Sequence, residues 1–214
     1  MKQYRSGRVA DRRPKTSVQT HRLTSRRNII PAVFQSAFAE KAHTAKKGVL
    51  RIIPIGGMEE VGRNMTVIEY NDDILVIDMG LQFPEEDMPG IDYIIPNTQY
   101  LRGKEKNIRG VIITHAHYDH IGAIPHLSPK LGNPDMYGTD LTIAIIKKRQ
   151  EEYGSALNTH VITNDTKLKL GIFRVEFFGV SHNIPGSLGV IVRTPEGIII
   201  HTGDFKIDER SDIA

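Results

Sequence analysis

The sequence predicts a layered α/β protein, with β-sheets at its centre and helices outside. Two observations lead to this fold class. From Leu50 onward the chain consists of short apolar, often β-branched runs, separated by turn signals such as Asn71–Asp73 and Pro195–Gly197. Only two segments have helical character, so predicted strands clearly outnumber predicted helices.

The predicted elements follow one another at short intervals. Residues 71–73 separate two apolar runs and therefore predict a hairpin. Strands are predicted over Leu50–Ile55, Met65–Tyr70, Ile74–Asp78, Arg109–Thr114, Lys167–Leu170, Phe173–Phe178, Val190–Arg193 and Ile198–His201. One helix is predicted to begin with Ile121–Leu127, and a longer one to cover Leu141–Gln150.

The composition of the 214 residues narrows the class of protein. Hydrophobic residues make up 39% and charged residues 25%, which is typical of soluble globular proteins. Cysteine is absent, so any metal must be held by histidine and carboxylate. The longest apolar runs are far too short for a membrane span, and the N-terminus lacks the apolar core of a secretory signal. We therefore expect a cytoplasmic protein with no membrane partner.

Charge divides the chain into two regions. Residues 1–47 contain twelve Lys/Arg and two acids, a balance of +10, whereas residues 48–214 have a balance of −7. We expect a basic, disordered arm over 1–47 and a folded domain over 48–214. The arm would add phosphate contacts on nucleic acid. Two other interpretations stay open: a solvated tail without a specific role, and an organelle transit peptide.

The sharpest motif lies in Thr114–Gly122, between a predicted strand and a predicted helix. It places His115, His117, Asp119 and His120 within six positions. Side chains two apart in an extended chain point the same way, so His115 and His117 are expected to meet one ion. The turn into the helix would direct the other two toward a second ion. Imidazole and carboxylate suit zinc, and carboxylate also suits manganese.

Later polar residues extend this predicted metal site. His182 and Asp204 each follow a predicted strand, where a scaffold displays functional side chains. Asp78 also ends a strand, and it either orients a ligand histidine from behind or starts a turn. His201 is expected to support the site without binding metal. No ligand role is expected for His21, His43, His126 and His160.

These residues resemble the metallo-β-lactamase superfamily, whose signature is HxHxDH followed by a later His and a later Asp. The resemblance covers residues 48–214 and implies an αββα sandwich with the site at one edge. Within the superfamily, the chain is similar to the ribonuclease J family of the β-CASP group. The stretches that carry this closer similarity are Ile55–Met65, Asp78–Pro84, Gly90–Pro96, His115–Pro125 and Thr202–Lys206.

The resemblance implies two divalent ions, with Zn²⁺ favoured and Mn²⁺ or Mg²⁺ as alternatives. The implied ligands are His115, His117 and His182 for one ion, Asp119 and His120 for the other, and Asp204 as a bridge, with Asp78 behind them. The implied reaction is hydrolysis of RNA phosphodiester bonds by a 5′-to-3′ exonuclease, an endonuclease or both, in RNA processing and decay. Asp119, His182 and Asp204 would take part in the chemistry, and the full-length protein would be a homodimer.

The chain departs from the family pattern at several positions. Ala116 stands where glycine is usual, Tyr118 where an acid is common, and Gly186 where Asp is frequent. The chain ends ten residues after Asp204, so the β-CASP domain and a final ligand histidine are expected to be missing from it. Two other functions stay open: a small-molecule hydrolase of thioesters or lactones, and a non-catalytic RNA-binding fragment.

Deleting residues 1–27, which removes nine basic residues and one acid, tests the role of the arm. We expect lower affinity for every RNA and a shallower salt dependence, because Lys and Arg that neutralise phosphates release counterions. The measurement is the RNA dissociation constant against salt concentration. A variant with the nine basic residues replaced by Gln separates charge from length. Superimposable lines for intact and deleted protein would make the arm a bystander or a targeting segment.

Overall fold

The computed structural model describes residues 48–154 and 156–207, which form two stacked β-sheets with helices against one of them. The strands are β1 (Leu50–Gly56), β2 (Met65–Tyr70), β3 (Asp73–Ile77), β4 (Ile108–Ile112), β5 (Met136–Gly138), β6 (Thr159–Val161), β7 (Leu168–Leu170), β8 (Phe173–Gly179), β9 (Leu188–Thr194) and β10 (Gly197–His201). The α-helices are α1 (Tyr118–Ile121), α2 (Ile124–Leu127) and α3 (Asp140–Gln150). Short 3₁₀ turns cover Thr98–Leu101, Glu105–Asn107, Pro129–Leu131 and Glu151–Tyr153.

The first sheet is mixed and the second is antiparallel. In the first, the strand order is β1-β2-β3-β4-β5-β6, with β1 to β3 antiparallel and β3 to β6 parallel. In the second, the order is β10-β9-β8-β7, and every pair is antiparallel. The mixed α/β fold predicted from the sequence is therefore confirmed. Among the described residues, helices cover only the first sheet.

The central strands β2, β3 and β4 of the first sheet are buried on both faces, because their side chains alternate between two cores. Val76 and Val111 face the helices, in a core that also contains Ile124, Ile143 and Ile146. Their neighbours in sequence face the second sheet, in a core shared with strands β8 and β9. Members of this second core include Leu75, Ile77, Ile112, Phe173, Val175, Val190 and Val192. The helix-side and sheet-side cores together fix the register of β3 and β4.

Four strand ends meet at one edge of this layered structure. Strands β3 and β4 are parallel, so both finish at the same edge of the first sheet. Strands β8 and β10 are both antiparallel to β9, so they finish together in the second sheet. The amide of Leu188 donates to the carbonyl of Thr114 at 2.9 Å and links the two sheets there. The segments that follow these four strands carry the predicted site residues.

The structure corrects some of the predicted element boundaries. The helix predicted from Ile121 begins at Tyr118, ends at Ile121 and resumes as α2. Pro125 lies in the first turn of α2, where its missing N–H is tolerated. His160, expected in a polar connection, lies in β6, which pairs with β5. Both strands have three residues, too few for alternation to be visible in the sequence.

Two further expectations concern a membrane span and the basic arm. No helix within residues 48–154 and 156–207 combines the length and apolarity needed to cross a membrane. The basic arm of residues 1–47 lies outside the described residues, together with His21 and His43.

Phe173→Ala tests the core between the two sheets. Phe173 is fully buried, so we expect its truncation to lower the free energy of unfolding by about 3–5 kcal/mol, through lost apolar contact and a residual cavity. Ile172→Ala is the matched control, because the adjacent side chain is 37% exposed. Chemical denaturation of both variants is the measurement. Equal losses for the two would contradict the assignment of Phe173 to the core.

Candidate metal centre

Three histidine side chains converge at the common edge of the sheets. His115 and His117 lie on the segment between β4 and α1, and His182 lies on the segment after β8. The Nε2 atom of His115 lies 3.0 Å from Nδ1 of His117, which lies 3.2 Å from Nε2 of His182. One ligand atom from each residue lies within 4.8 Å of the others, so the three could hold one metal ion. Three imidazoles are a known donor set of catalytic zinc sites.

A second group of potential ligands lies next to the first and shares one member with it. His115, His120 and Asp204 also offer atoms within 4.8 Å of one another. The Oδ2 atom of Asp204 lies 3.5 Å from Nε2 of His120 and 3.9 Å from Nε2 of His182. Asp204 therefore stands between the two groups. The Oδ2 atom of Asp119 lies 3.4 Å from Nε2 of His120, on the edge of the second group.

Asp78 is buried behind these potential ligands and orients two of the histidine rings. Its backbone has a φ of 62°, which turns the chain away from β3. The carboxylate accepts hydrogen bonds from the Thr114 amide at 2.8 Å and from the Thr114 hydroxyl at 2.9 Å. It also lies 2.8 Å from Nδ1 of His120. The Nδ1–H of His120 therefore faces Asp78, and its Nε2 faces the site.

A hydrogen-bond relay through Thr114 has the same effect on His115. The Thr114 hydroxyl donates to Asp78, so its oxygen is free to accept from Nδ1 of His115, 3.0 Å away. This arrangement leaves the Nε2 lone pair of His115 directed at the site. Thr114 and Asp78, both buried, thus orient the Nε2 atoms of two histidine rings toward the site.

The charges of the site favour a cation. Burial lowers the pKa of His115 to about 4, so the ring is neutral at pH 7, as a ligand must be. Burial also opposes protonation of His120, but Asp78, Asp119 and Asp204 outweigh it and raise the pKa to about 12. The hydrogen bond to His120 lowers the pKa of Asp204 to about 2. Three carboxylates thus surround one imidazole, an excess of negative charge that a divalent ion would balance.

Asn64 is a site residue without a predicted role. Its Nδ2 donates to the backbone carbonyl and to the Oδ2 of Asp119, each at 3.1 Å, and lies 3.2 Å from Nε2 of His120. It thereby fixes the position of the Asp119 side chain. The only sequence signal is its place at the end of the glycine-containing stretch Ile55–Met65. No local spacing reveals the contact, because Asn64 and Asp119 are 55 positions apart.

Gly80 allows the site segment to approach β3 closely. Its amide donates to the carbonyl of Asn64 at 2.9 Å, and the amide of Asn64 donates to the carbonyl of Asp119 at 3.0 Å. A Cβ atom at position 80 would stand 1.5 Å from the carbonyl oxygen of Asp119. Only glycine fits this position without moving Asp119 and the segment that follows it.

The remaining predicted positions either border the site or lie outside both groups of potential ligands. His201 borders a cavity of about 320 Å³ beside Asp78, His120 and Asp204, and its Nδ1 accepts from the Gly203 amide at 3.2 Å. At Gly186, where the family often has Asp, Thr139 donates to the glycine carbonyl at 3.1 Å. His126 and His160 lie outside both groups of potential ligands: the first stacks on Tyr93, and the second pairs with Asp135.

Comparisons with known proteins agree with this geometry. The sequence profile of the metallo-beta-lactamase superfamily matches residues 58–211. Ribonuclease J of Thermus thermophilus is 42% identical over 167 residues, which cover 74% of this chain and 29% of that protein. Ribonuclease J of Synechocystis is 39% identical over 170 residues, which cover 78% of this chain and 27% of that protein. The chain therefore spans less than a third of the length of these relatives.

Solved structures show the same fold at much lower identity. The metallo-beta-lactamase fold protein YhfI from Bacillus subtilis gives a TM-score of 0.54 at 17% identity, covering 75% of this chain and 65% of that one. The short form of human tRNase Z gives a TM-score of 0.51 at 18% identity, covering 76% of this chain and 71% of that one. A protein of unknown function from Enterococcus faecalis gives a TM-score of 0.60 at 18% identity, covering 76% of this chain and 45% of that one.

Metal analysis of the purified protein tests the two ligand groups. We expect binding of up to two divalent ions, and loss of at least one in His117→Ala, because this ring lies between two others. The matched control is His160→Ala, which removes an exposed histidine outside both groups. Elemental analysis after metal-replete preparation gives the stoichiometry. Metal-free wild-type protein, or equal loss in both variants, would contradict the assignment.

Proposed function

The chain belongs to the metallo-β-lactamase superfamily, and from this premise we propose that it forms the metal-binding part of a ribonuclease J-like enzyme that hydrolyses RNA phosphodiester bonds. The observation that carries the proposal is the convergence of His115, His117 and His182 next to His120 and Asp204. The substrate class comes from the similarity to ribonuclease J, which is 42% identical over 167 residues.

The donor set fits divalent ions, and we propose two. One would be held by the three-histidine group, and the other by Asp119 and His120, with Asp204 between them. Such ions supply Lewis acidity, which polarises phosphate oxygens and lowers the pKa of water. Nitrogen and carboxylate donors without thiolate favour Zn²⁺ here, with Mn²⁺ or Mg²⁺ as alternatives.

The protein's own groups contribute orientation and proton transfer. Asp119 is held by Asn64, so its carboxylate is available to position or accept the proton of an attacking water. Asp204 stays ionised to about pH 2, so it remains an anionic donor at any physiological pH. His182 stands beside Asp204 on the other side of the site. Asp78 holds His120 from behind and keeps the ring from rotating.

The proposal extends to features that the resemblance implies for the whole protein. We propose 5′-to-3′ exonuclease action, endonuclease action or both, in RNA processing and decay, including ribosomal RNA, in the cytoplasm. We also propose a homodimer as the working form. The domain boundaries of the proposal are a basic arm over residues 1–47 and a metallo-β-lactamase-like domain over residues 48–214.

Substitution of the two site carboxylates tests the proposed chemistry. In the metal-loaded protein, we expect Asp119→Ala and Asp204→Ala each to reduce cleavage of 5′-monophosphorylated RNA by at least about 100-fold. This exceeds the 10- to 100-fold effect typical of removing a partner that only supports a ligand. The fold should persist, because the side chains of Asp119 and Asp204 are 30% and 45% exposed.

Asp135→Asn is the matched control, because this acid lies directly before β5, at the end of the parallel strands opposite to the site, and pairs with an exposed histidine. Rate measurements should accompany circular dichroism and metal analysis of each variant. Wild-type turnover in either site variant, with metal confirmed, would remove that residue from the mechanism. Hydrolysis of a thioester or lactone by wild-type protein that leaves RNA intact would replace the ribonuclease with a small-molecule hydrolase.

A further inference from the structure

A continuous series of aromatic and cationic side chains includes Tyr118, which lies between the potential ligands His117 and Asp119 in the sequence. Each member contacts the next through a ring face or a ring edge, with centres 4.4–6.4 Å apart. We call this series the aromatic flank. Its members, in spatial order, are Phe83, Tyr118, Arg149, Tyr153, His126 and Tyr93.

The end of the aromatic flank nearest the metal centre is formed by Phe83 and Tyr118. Tyr118 stands between the potential ligands His117 and Asp119 in sequence, so its ring is tied to the site by a single peptide unit on each side. The two rings lie nearly parallel, at 23°, with centroids 6.4 Å apart. Phe83 is 64% exposed and Tyr118 is 42% exposed. Large aromatic surfaces are thus exposed to solvent at a position that adjoins two potential ligands in the sequence.

Arg149 supplies positive charge behind these rings. It extends from α3 and places its guanidinium 4.5 Å from the ring centre of Tyr118 and 5.7 Å from that of Tyr153. Its buried Nε has no hydrogen-bond partner among the described residues. The guanidinium is therefore oriented by contact with aromatic faces. Such stacked arginines favour phosphate and nucleobase recognition.

Packing alone does not account for this surface. Phe83 is among the most exposed large apolar residues of the described chain, whereas the protein's cores hold their aromatic and aliphatic side chains at near-zero exposure. Single exposed apolar residues are common, but neighbouring exposed rings such as Phe83 and Tyr118 are more typical of an interaction site. Single-stranded RNA matches the chemistry, because unstacked bases bind aromatic faces and arginine planes.

We propose that Phe83 and Tyr118, with Arg149 behind them, form a stacking surface for a nucleobase of single-stranded RNA at the entrance to the metal centre. This inference rests on the proposed ribonuclease function and adds the way in which the RNA is held. Every base has a π face, so this contact gives affinity without sequence preference. The acidic residues Glu85–Asp87 follow Phe83, so the phosphates are expected to run on the Arg149 side.

The test compares variants of Phe83 on RNA with and without one base. The probes are 5′-monophosphorylated, phosphorothioate-linked RNA strands, in which an abasic nucleotide occupies each position in turn. Phe83→Leu keeps an apolar side chain and removes the ring, whereas Phe83→Tyr keeps the ring. The control is Ile172→Ala, an exposed apolar position at the turn before β8, at the opposite end of the strands. Binding is measured by fluorescence anisotropy with metal-loaded protein.

We expect Phe83→Leu to weaken binding of intact RNA by between about 5- and 150-fold, the range of one base-stacking contact. Phe83→Tyr and Ile172→Ala should bind like the wild type. When the abasic nucleotide occupies the stacked position, the wild type should bind that strand more weakly than intact RNA by the same factor. Phe83→Leu should bind that strand and intact RNA equally well. This non-additivity would not arise from a purely structural defect, which weakens binding of all strands alike.

Three results would overturn the inference. Wild-type affinity of Phe83→Leu for every strand would show that the ring does not meet RNA. Equal weakening on all strands, including every abasic one, would show a structural role. If wild-type protein cleaves unmodified RNA in either case, the proposed function stands while the stacking surface fails. If the wild type neither binds nor cleaves RNA, the proposed function fails and the stacking surface fails with it.

Discussion

The carboxylate of Asp78 holds the site together from inside the protein. A buried carboxylate is costly unless its oxygens are hydrogen-bonded, and Asp78 finds its partners in the backbone and hydroxyl of Thr114 and in the ring of His120. These bonds join the end of β3 to the segment that follows β4. Because Thr114 also contacts His115, one buried anion orients two ring nitrogens toward the site. The ligand geometry therefore depends on a residue that no substrate would touch.

The layered architecture explains why distant residues can meet at this point. The central strands of the first sheet are buried on both faces and keep their register, since a slip by one residue would exchange the side chains of the two cores. The parallel pairing of β3 with β4 and the common direction of β8 and β10 bring four strand ends to one edge. Close approach at Gly80 and the hydrogen bond from Leu188 to Thr114 then fix the segments beyond those ends.

The site places three carboxylates around one imidazole and a neutral imidazole next to it. Asp78, Asp119 and Asp204 surround His120 and raise its pKa to about 12, so the ring holds a proton where a cation is favoured. The pKa of His115, about 4, shows the opposite environment only one ring away. The three carboxylates thus hold a proton on His120 at the place where a divalent ion would balance their charge, whereas burial keeps His115 neutral. The aromatic flank adds a different kind of contact, through exposed ring faces with the guanidinium of Arg149 behind them.

The sequence by itself determined the fold class, the family and the set of side chains that meet at the edge of the sheets. It could do so because these side chains follow apolar runs that predict strands, and because HxHxDH is a compact local pattern. Only the tertiary structure decided how these groups are held. The contact of Asn64 with Asp119 spans 55 positions, and Phe83 meets Tyr118 across two separate segments. Such partners are chosen by sheet register and packing, which act between elements and leave no trace in local spacing.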